Sequence, residues 1–482
     1  HDGIHMHLHA MRHDPHVGCS AQRPRARQND ANNNKEESMS TSRRWYQIHK
    51  STIEKMFTVR KDIFSRLLTL KYHDVVKWCL YIGIMVCYIG SLNPWFMWGI
   101  NSTYFVIVLP LFLLVLALNR KMRCPLLRRN TAWSSIVIFI ATAFCMSALG
   151  NYNIFGMVAM LLQAPIFYCI LRLDRDELMR LSDFLSKGMA CLMCISIPVF
   201  VYHLAGGSIP HQFAYNEKLQ YSFINYYFFM LNDTNEQIIP RFHAFFLEPG
   251  HLGTACTFLL LTQIGKWKRW YNIVLSFTTL ITLSLAAYVL LVMAFFLATW
   301  IRKQAVVGKL LITSALVGIF IVGAMNYNKG VNVVNMLIVE RLSIGDDGNM
   351  KGDNRVNDEF KKEFDRYIAS GEILTGGPKS MDKFAWGNAG YRVFIYSYGM
   401  VTTLLVIFFA LSITQGAHSR PRWGMLIIAV ASFWARATPF YYYYFIPLFM
   451  MAQIGWRNDP DYPTAIMDAE DETTNTNTPC QK

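Results

Sequence analysis

The chain of 482 residues is 53% hydrophobic and only 16% charged, with a positive mean hydropathy. Soluble globular chains carry about a quarter charged residues. Apolar runs of about 18 residues recur along most of this one, so a polytopic membrane protein is expected. A single soluble enzyme domain, a disordered tail and a disulfide-stapled secreted scaffold are excluded. The formal charge of +14 suits a membrane better than a nucleic acid, because of where the basic residues sit.

Six of the first sixteen residues are histidine, and no apolar run in this stretch could serve as a signal peptide. Residues 1–51 read as a disordered cytoplasmic leader, with 1–38 either leader or translated sequence upstream of Met39. Residues 52–72 are basic, with Ile53, Met56, Phe57, Phe64, Leu67 and Leu68 near one helical face. That pattern suits an amphipathic helix lying on the inner leaflet.

Spans are expected at roughly 75–92, 98–118, 132–149, 154–171 and 188–206, then after an exterior loop (207–249) at about 250–265. Residues 271–301 are apolar throughout but flanked by basic clusters at both ends, so the crossings there must be even in number. Two crossings leave about 15 residues each, roughly 22 Å of helix against a core of about 30 Å, which implies local thinning or a hairpin tip buried in protein. Residues 424–456 repeat this arrangement, with Ala435 to Pro439 as the tip. Spans near 306–325 and 392–413 bracket a second exterior loop (326–391), and 457–482 read as a disordered cytoplasmic tail. The fold class expected is all-α, with about 12 transmembrane helices in a domain covering 73–456.

Basic residues cluster between these runs: Arg120, Lys121, Arg123, Arg128 and Arg129; Lys266, Lys268 and Arg269; Arg302, Lys303 and Lys309; Arg420 and Arg422. The intervening turns near Asn93 and Pro94, Gly150 to Asn153 and Ser284 carry no charge. Positive residues mark the cytoplasmic side, so both termini fall inside. There are ten cysteines, most of them within apolar runs, and Cys191 and Cys194 form a CxxC spacing inside a span. Neither long loop contains cysteine, so no disulfide framework is implied.

The chemistry should lie outside. The first exterior loop ends in Arg241-Phe-His243-Ala-Phe-Phe-Leu-Glu248-Pro249-Gly-His251-Leu-Gly253 and then enters a span. An arginine and a glutamate at a membrane boundary are expensive unless paired or functional, so an anchoring Arg–Glu pair is the plain alternative to a site. Pro249 suits a first helical turn, and Glu248 would sit at the positive end of that helix. The second loop holds nine basic and ten acidic residues and reads as solvated, with a short helix over Phe360 to Ile368 and turns at Gly371 and Gly376-Gly377-Pro378. Asp346-Asp347-Gly-Asn is no EF-hand, because Lys351 falls at a ligand position. Asp174-Arg-Asp176 lies in a cytoplasmic connector and reads as a solvated helix face. Tyr441 to Tyr444, with Trp434, read as an interfacial aromatic belt before a sugar platform.

The pattern Arg241-x-x-Ala-x-Phe246-x-Glu248-Pro249-x-x-x-Gly253 resembles the motif entering a middle span of bacterial O-antigen polymerases and O-antigen ligases. Leu280-Ile-Thr-Leu-Ser284-Leu-Ala-Ala resembles that family's serine-containing break between two short spans. Asp353-Asn-Arg355, Phe364 to Ile368 and Leu374-Thr-Gly376-Gly377-Pro378 look like its large periplasmic loop. The resemblance covers about residues 75–456. It departs at Trp386-Gly387-Asn388, where glycine stands in place of the histidine that the ligases use as base, and no histidine occurs in the second loop. That departure favours a polymerase over a ligase.

The resemblance implies oligosaccharide repeat units on undecaprenyl diphosphate as substrates, at the periplasmic face of the bacterial inner membrane. They would serve O-antigen, capsule or exopolysaccharide synthesis. It implies a metal-independent glycosyltransferase without cofactor, with membrane lipid and the pathway's flippase and chain-length regulator as partners, and no nucleic acid. Charge would develop on the departing diphosphate, so preorganised cations should matter most. Arginine presents a planar fork to phosphate oxygens. Arg241 and Arg355 are therefore the candidate diphosphate ligands, followed by Arg341 and Arg392. Glu248 would act as base or orient Arg241, and the latter is favoured because a helix N-terminus and a nearby arginine lower its pKa. His243 and His251 are alternative bases, though each reads first as a residue of the membrane boundary. Asn388, Tyr391 and His251 would position the loop or the acceptor. The rivals are a ligase-type transferase, a transporter of lipid-linked saccharide, or a scaffold. A transporter predicts ionisable residues inside spans, where Arg436 is the main one.

Overall fold

The computed structural model describes residues 73–119, 133–150, 153–173, 175–216, 221–233, 240–301, 306–332, 357–379 and 390–413, helix positions in 419–435, and scattered single positions elsewhere. The chain divides into two units, His1–Leu70 and Lys71–Lys482; of the first, only Thr58 is described. The expected leader, amphipathic helix and tail lie outside the described residues, as does the cluster from Arg120 to Arg129.

The second unit is mostly helical. Its helices are α1 (His73–Ser91), α2 (Tyr104–Asn119), α3 (Trp133–Ala148), α4 (Ile154–Leu161), α5 (Ala164–Leu171), α6 (Arg175–Leu204), α7 (Pro249–Thr262), α8 (Trp270–Ile281), α9 (Leu285–Ile301), α10 (Val306–Asn326), α11 (Asp358–Ser370), α12 (Tyr391–Ile413) and α13 (Ser419–Ala435). Among the described residues, five stretches are long and apolar enough to cross a membrane: His73–Ser91, Ile154–Leu171, Asp176–Leu204, Leu310–Gly330 and Tyr391–Ile413. Shorter apolar helices accompany them. The outward surface is apolar too, with Trp78, Ile107, Val137, Val201 and Phe408 exposed. This is the surface a helical membrane protein offers to lipid.

Burial sorts the helices. On α1 the buried side chains Val76, Leu80, Ile84, Cys87 and Tyr88 recur every three to four residues, so one face packs inward. The Tyr88 hydroxyl donates to the Ala255 carbonyl of α7 at 3.0 Å. From Leu252 onward every residue of α7 is buried, which makes it the central helix. It packs on α6, α8 and α9; α9 in turn packs on α13, α13 on α12, and α12 on α3. The span expected over 154–171 is two short helices, with Pro165 in the first turn of α5. Proline has no N–H and suits a helix start, so the break falls there.

The two ends of the bundle differ. At the end where α6 begins, Glu177 accepts from the Tyr81 hydroxyl at 2.8 Å and pairs with Arg180 at 2.6 Å and Lys77 at 3.4 Å. Asp183 pairs with Lys266 in the α7–α8 link at 3.2 Å. At the other end, between α6 and α7, lies a three-stranded antiparallel sheet in the order β1 (Gln212–Asn216), β2 (Tyr221–Asn225), β3 (Met230–Asn232).

The sheet is a small addition to a mostly helical unit that is compatible with the all-α expectation. Phe213 pairs with Ile224 and Tyr215 with Ser222 on one face, while Phe223, Asn225 and Met230 line the other, buried face. Strands of three to five residues carry too short a period-two pattern to stand out between long apolar runs. The buried face meets Leu247, Trp95 and Trp98.

Helix α11, expected over Phe360 to Ile368, forms over Asp358–Ser370. The Asn357 side chain caps it by accepting from the Phe360 N–H at 2.7 Å, and Gly371 ends it in the left-handed region. Phe360, Phe364 and Tyr367 pack with Phe384 and with Tyr396 of α12. Beyond α11, residues 373–377 run alongside a break in α12. Gly399 there has φ 78° and ψ 168°, and the Met400 N–H donates to the Ile373 carbonyl at 2.8 Å. The Gly377 N–H donates to the Tyr396 carbonyl and the Gly376 N–H to the Leu149 carbonyl, each at 2.6 Å. Backbone groups freed by the broken helix are thus satisfied by loop backbone, as burial demands.

Candidate functional site

The segment from Arg241 to Glu248 is held by backbone hydrogen bonds from four directions. Its Phe242 N–H donates to the Ile281 carbonyl at 3.3 Å, and its Ala244 carbonyl accepts from Met230 of β3 at 2.8 Å. Its Phe245 carbonyl accepts from Trp95 at 3.1 Å, and its Leu247 N–H donates to the Leu92 carbonyl at 3.5 Å. Phe242 and Phe246 are fully buried, with Phe242 against Phe200 of α6 at 5.1 Å between ring centroids. Apolar side chains fix this segment, leaving Arg241 and Glu248 partly buried at its two ends.

Arg241 reaches the break between α8 and α9. Its Nε donates to the Thr282 carbonyl at 3.3 Å. The last carbonyls of a helix lack partners within it, and a cation is favourable at that end. Leu283 then turns with φ 47°, and the Ser284 hydroxyl accepts from the Ala287 N–H at 3.5 Å to open α9. Glu248 occupies the N-cap of α7 in an extended conformation, followed by Pro249 in the first turn. One turn on, a Cβ at Gly253 would lie 2.6 Å from the Ala287 Cβ and 2.9 Å from the Thr282 hydroxyl. Glycine lets α7 approach the same break that Arg241 caps. Three stretches that the sequence singled out separately therefore meet here: Arg241, the Glu248-Pro249 entry to α7 with Gly253, and the break at Thr282 to Ser284.

His243 is fully buried between them. Its Nδ1–H donates to the Phe246 carbonyl at 2.5 Å, and its ring lies against Phe223 of β2 at 6.1 Å. Burial holds its pKa down to about 4, with the Phe246 hydrogen bond and Glu248 opposing and Arg241 assisting. It is a packed, neutral side chain beside the sheet. His251 sits in the first turn of α7, partly buried.

The linkage has a definite sign. The unfolded imidazole takes its proton near 6.5 and the folded one near 4, so the unfolded state gains stability as pH falls between these values. Stability should drop by about 2 kcal/mol from pH 7 to pH 5 on this account. His243→Asn retains an N–H donor but no titration, and should flatten that part of the profile. Unfolding midpoints in detergent at the two pH values would check it; parallel profiles for both proteins would refute it.

The second group of candidates lies at the start of α12. Tyr391 stacks on Trp434 of α13 with ring centroids 4.3 Å apart. Arg392 Nε donates to the Tyr391 hydroxyl at 3.3 Å, and its guanidinium lies 5.7 Å from the same ring. Trp434 therefore takes part in an aromatic stack at the end of the bundle. Arg341, Arg355, Asn388 and Arg436 lie outside the described residues, as do Tyr441, Tyr443 and Tyr444; Tyr442 is buried against Phe167. Among the described residues no cluster of three or more His, Cys, Asp or Glu could hold a metal ion.

Two features had no clear sequence signal. One is the Thr282 carbonyl, since a backbone group carries no residue type, although the apolar run between basic clusters marked the region. The other is Glu363, read as part of a solvated helix, which is buried and accepts from Lys379 at 3.0 Å and Arg366 at 3.4 Å. It anchors α11 beside Tyr396, whose hydroxyl lies 3.5 Å away.

The site defines a class: a mostly helical protein, with helices long and apolar enough to cross a membrane, in which an arginine is held at a helix break beside a small sheet. Comparison with protein-family models, with curated proteins and with solved structures gives no match.

Proposed function

We propose that the chain polymerises saccharide repeat units carried on undecaprenyl diphosphate, at the periplasmic face of the bacterial inner membrane. The observation carrying this reading is the convergence of Arg241 and the Glu248-Pro249 helix entry with the α8–α9 break some 35 residues further on, a set that resembles the motifs of O-antigen polymerases. In this reading the chain crosses the membrane about twelve times, with both termini cytoplasmic and the sheet and α11 outside.

A hydroxyl of one lipid-linked unit attacks the anomeric carbon of the growing chain. The bond from that carbon to the diphosphate oxygen breaks, the lipid diphosphate leaves with the electron pair, and the hydroxyl proton passes to a base. Arg241 stabilises the negative charge on the leaving diphosphate. Its position is set before substrate arrives, because its Nε is committed to the Thr282 carbonyl. Glu248, at a helix N-terminus that favours its ionised form, orients the cationic group and is not the base. Arg355 is the second diphosphate ligand in this reading, with Arg341 and Arg392, the latter braced on Tyr391, as further ones. No metal ion is required of this mechanism.

The test uses purified protein in detergent with a synthetic lipid-diphosphate-linked repeat unit, and products sized on a gel. A ladder of products is expected. Transfer only to a separate lipid-A-type acceptor would make the chain a ligase. Absence of product with several repeat units, together with movement of lipid-linked saccharide across liposomes, would make it a transporter.

A further inference from the structure

One face of the sheet is exposed along β1 and bears no charge there. Phe213 is 72% exposed and Tyr215 56% exposed on β1, with Ser222 exposed beside them on β2, while Ile224 and Leu231 further along the same face pack against the core. No residue of the three strands is ionisable as an acid or a base at neutral pH. An exposed edge strand is normally protected by charge or proline, and β1 is an edge strand with neither. The opposite face packs Phe223 and Met230 against Leu247, Trp95 and Trp98, so Phe213 and Tyr215 point away from that cluster.

The neighbourhood indicates what covers this face. Helix α6 ends at Leu204, eight residues before β1, and its last turns expose Val201, Tyr202 and Leu204. The exposed apolar surface of a membrane-crossing helix therefore continues onto the sheet. The Ser196 hydroxyl of α6 donates to the Phe228 carbonyl in the β2–β3 turn, so the sheet is fastened to the flank of that helix. Tyrosine and phenylalanine with an apolar body and, for tyrosine, a polar tip are suited to the boundary between headgroups and acyl chains.

We infer that the Phe213–Tyr215 face of the sheet lies on the lipid surface, making the loop between α6 and α7 a membrane-resting brace for the Arg241 segment. The brace acts through β3, whose Met230 N–H holds the Ala244 carbonyl. The lipid rather than water thus supports the far side of the candidate site.

A photo-crosslinking amino acid, p-benzoylphenylalanine, placed singly at 213 or 215 in the full chain in lipid nanodiscs tests this. Phe408, exposed on the membrane-crossing α12, is the lipid-facing reference, and Arg366, exposed on α11, the water-facing one. After irradiation, lipid adducts on each peptide are read by mass spectrometry. Adduct yields at 213 and 215 should fall within about threefold of that at 408, as expected for side chains at the acyl boundary. Yields no higher than at 366 would overturn the inference, as would crosslinks to a second protein chain or to added saccharide in place of lipid. Each position is read separately, so a variant that fails to elute as folded protein leaves the other to decide.

Discussion

Gly399→Ala is expected to be among the most destabilising single-atom-scale changes in the chain, costing about 2–6 kcal/mol. Two penalties combine. The backbone at φ 78° and ψ 168° lies in a region essentially restricted to glycine. The added Cβ would also stand 2.4 Å from the Leu374 carbonyl oxygen, inside the strip of loop backbone that satisfies the broken helix. Backbone cannot step aside as a flexible side chain can, so the 373–377 strip must part from α12. Gly371→Ala is the control. It too has a positive φ, 76°, but nothing lies within 4 Å of its Cβ, and it should cost about 1 kcal/mol. Thermal unfolding of both variants in detergent decides; equal midpoints would show that the break is not an anchor for the α11 loop.

On the proposed function, Arg241→Ala should lower glycan transfer by about a hundredfold or more, the scale seen when one preorganised donor to a developing anion is removed. It should also weaken the fold modestly, since the Thr282 carbonyl loses a charged donor, an effect of about 1–3 kcal/mol. The two losses separate with Arg241→Lys, which keeps the charge but replaces the planar fork and its fixed Nε by a mobile ammonium. Activity between the two extremes, with substrate affinity less affected than turnover, is the expected result in initial-rate measurements. An Arg241→Ala enzyme with normal turnover would remove this residue from the chemistry and leave it a cap on α8.

Much of the helical layout was legible because it rests on long apolar runs and on where lysine and arginine interrupt them. The Glu248-Pro249 entry was legible for a similar reason: a helix N-terminus has its own residue chemistry. The site was legible only in pieces. Sequence marked Arg241, Gly253 and the Ser284 region, but their meeting depends on packing of α7 against α8 and α9, which no local pattern encodes. The sheet was missed because its strands are short, and because its exposed residues are as apolar as its buried ones. Alternation is a signal only when one face is wet. Glu363 was read as solvated, and the full burial of His243 had no local signal either. In each case burial by residues far away in sequence decided the matter.

Helix α10 carries a consequence of its own. Among the described helices it packs on α9, and nearly all its described residues, from Val307 through Leu311, Ile319 and Met325, are exposed. Twenty-one residues of helix span about 32 Å, close to the thickness of a bilayer core of about 30 Å. With so little protein to fix it, its tilt is set by the match between its own length and the membrane around it. The chain that continues beyond it toward α11 therefore starts from a post that leans further in a thinner membrane. Acyl-chain length becomes a variable that the bundle's rigid centre would not feel and this flank would.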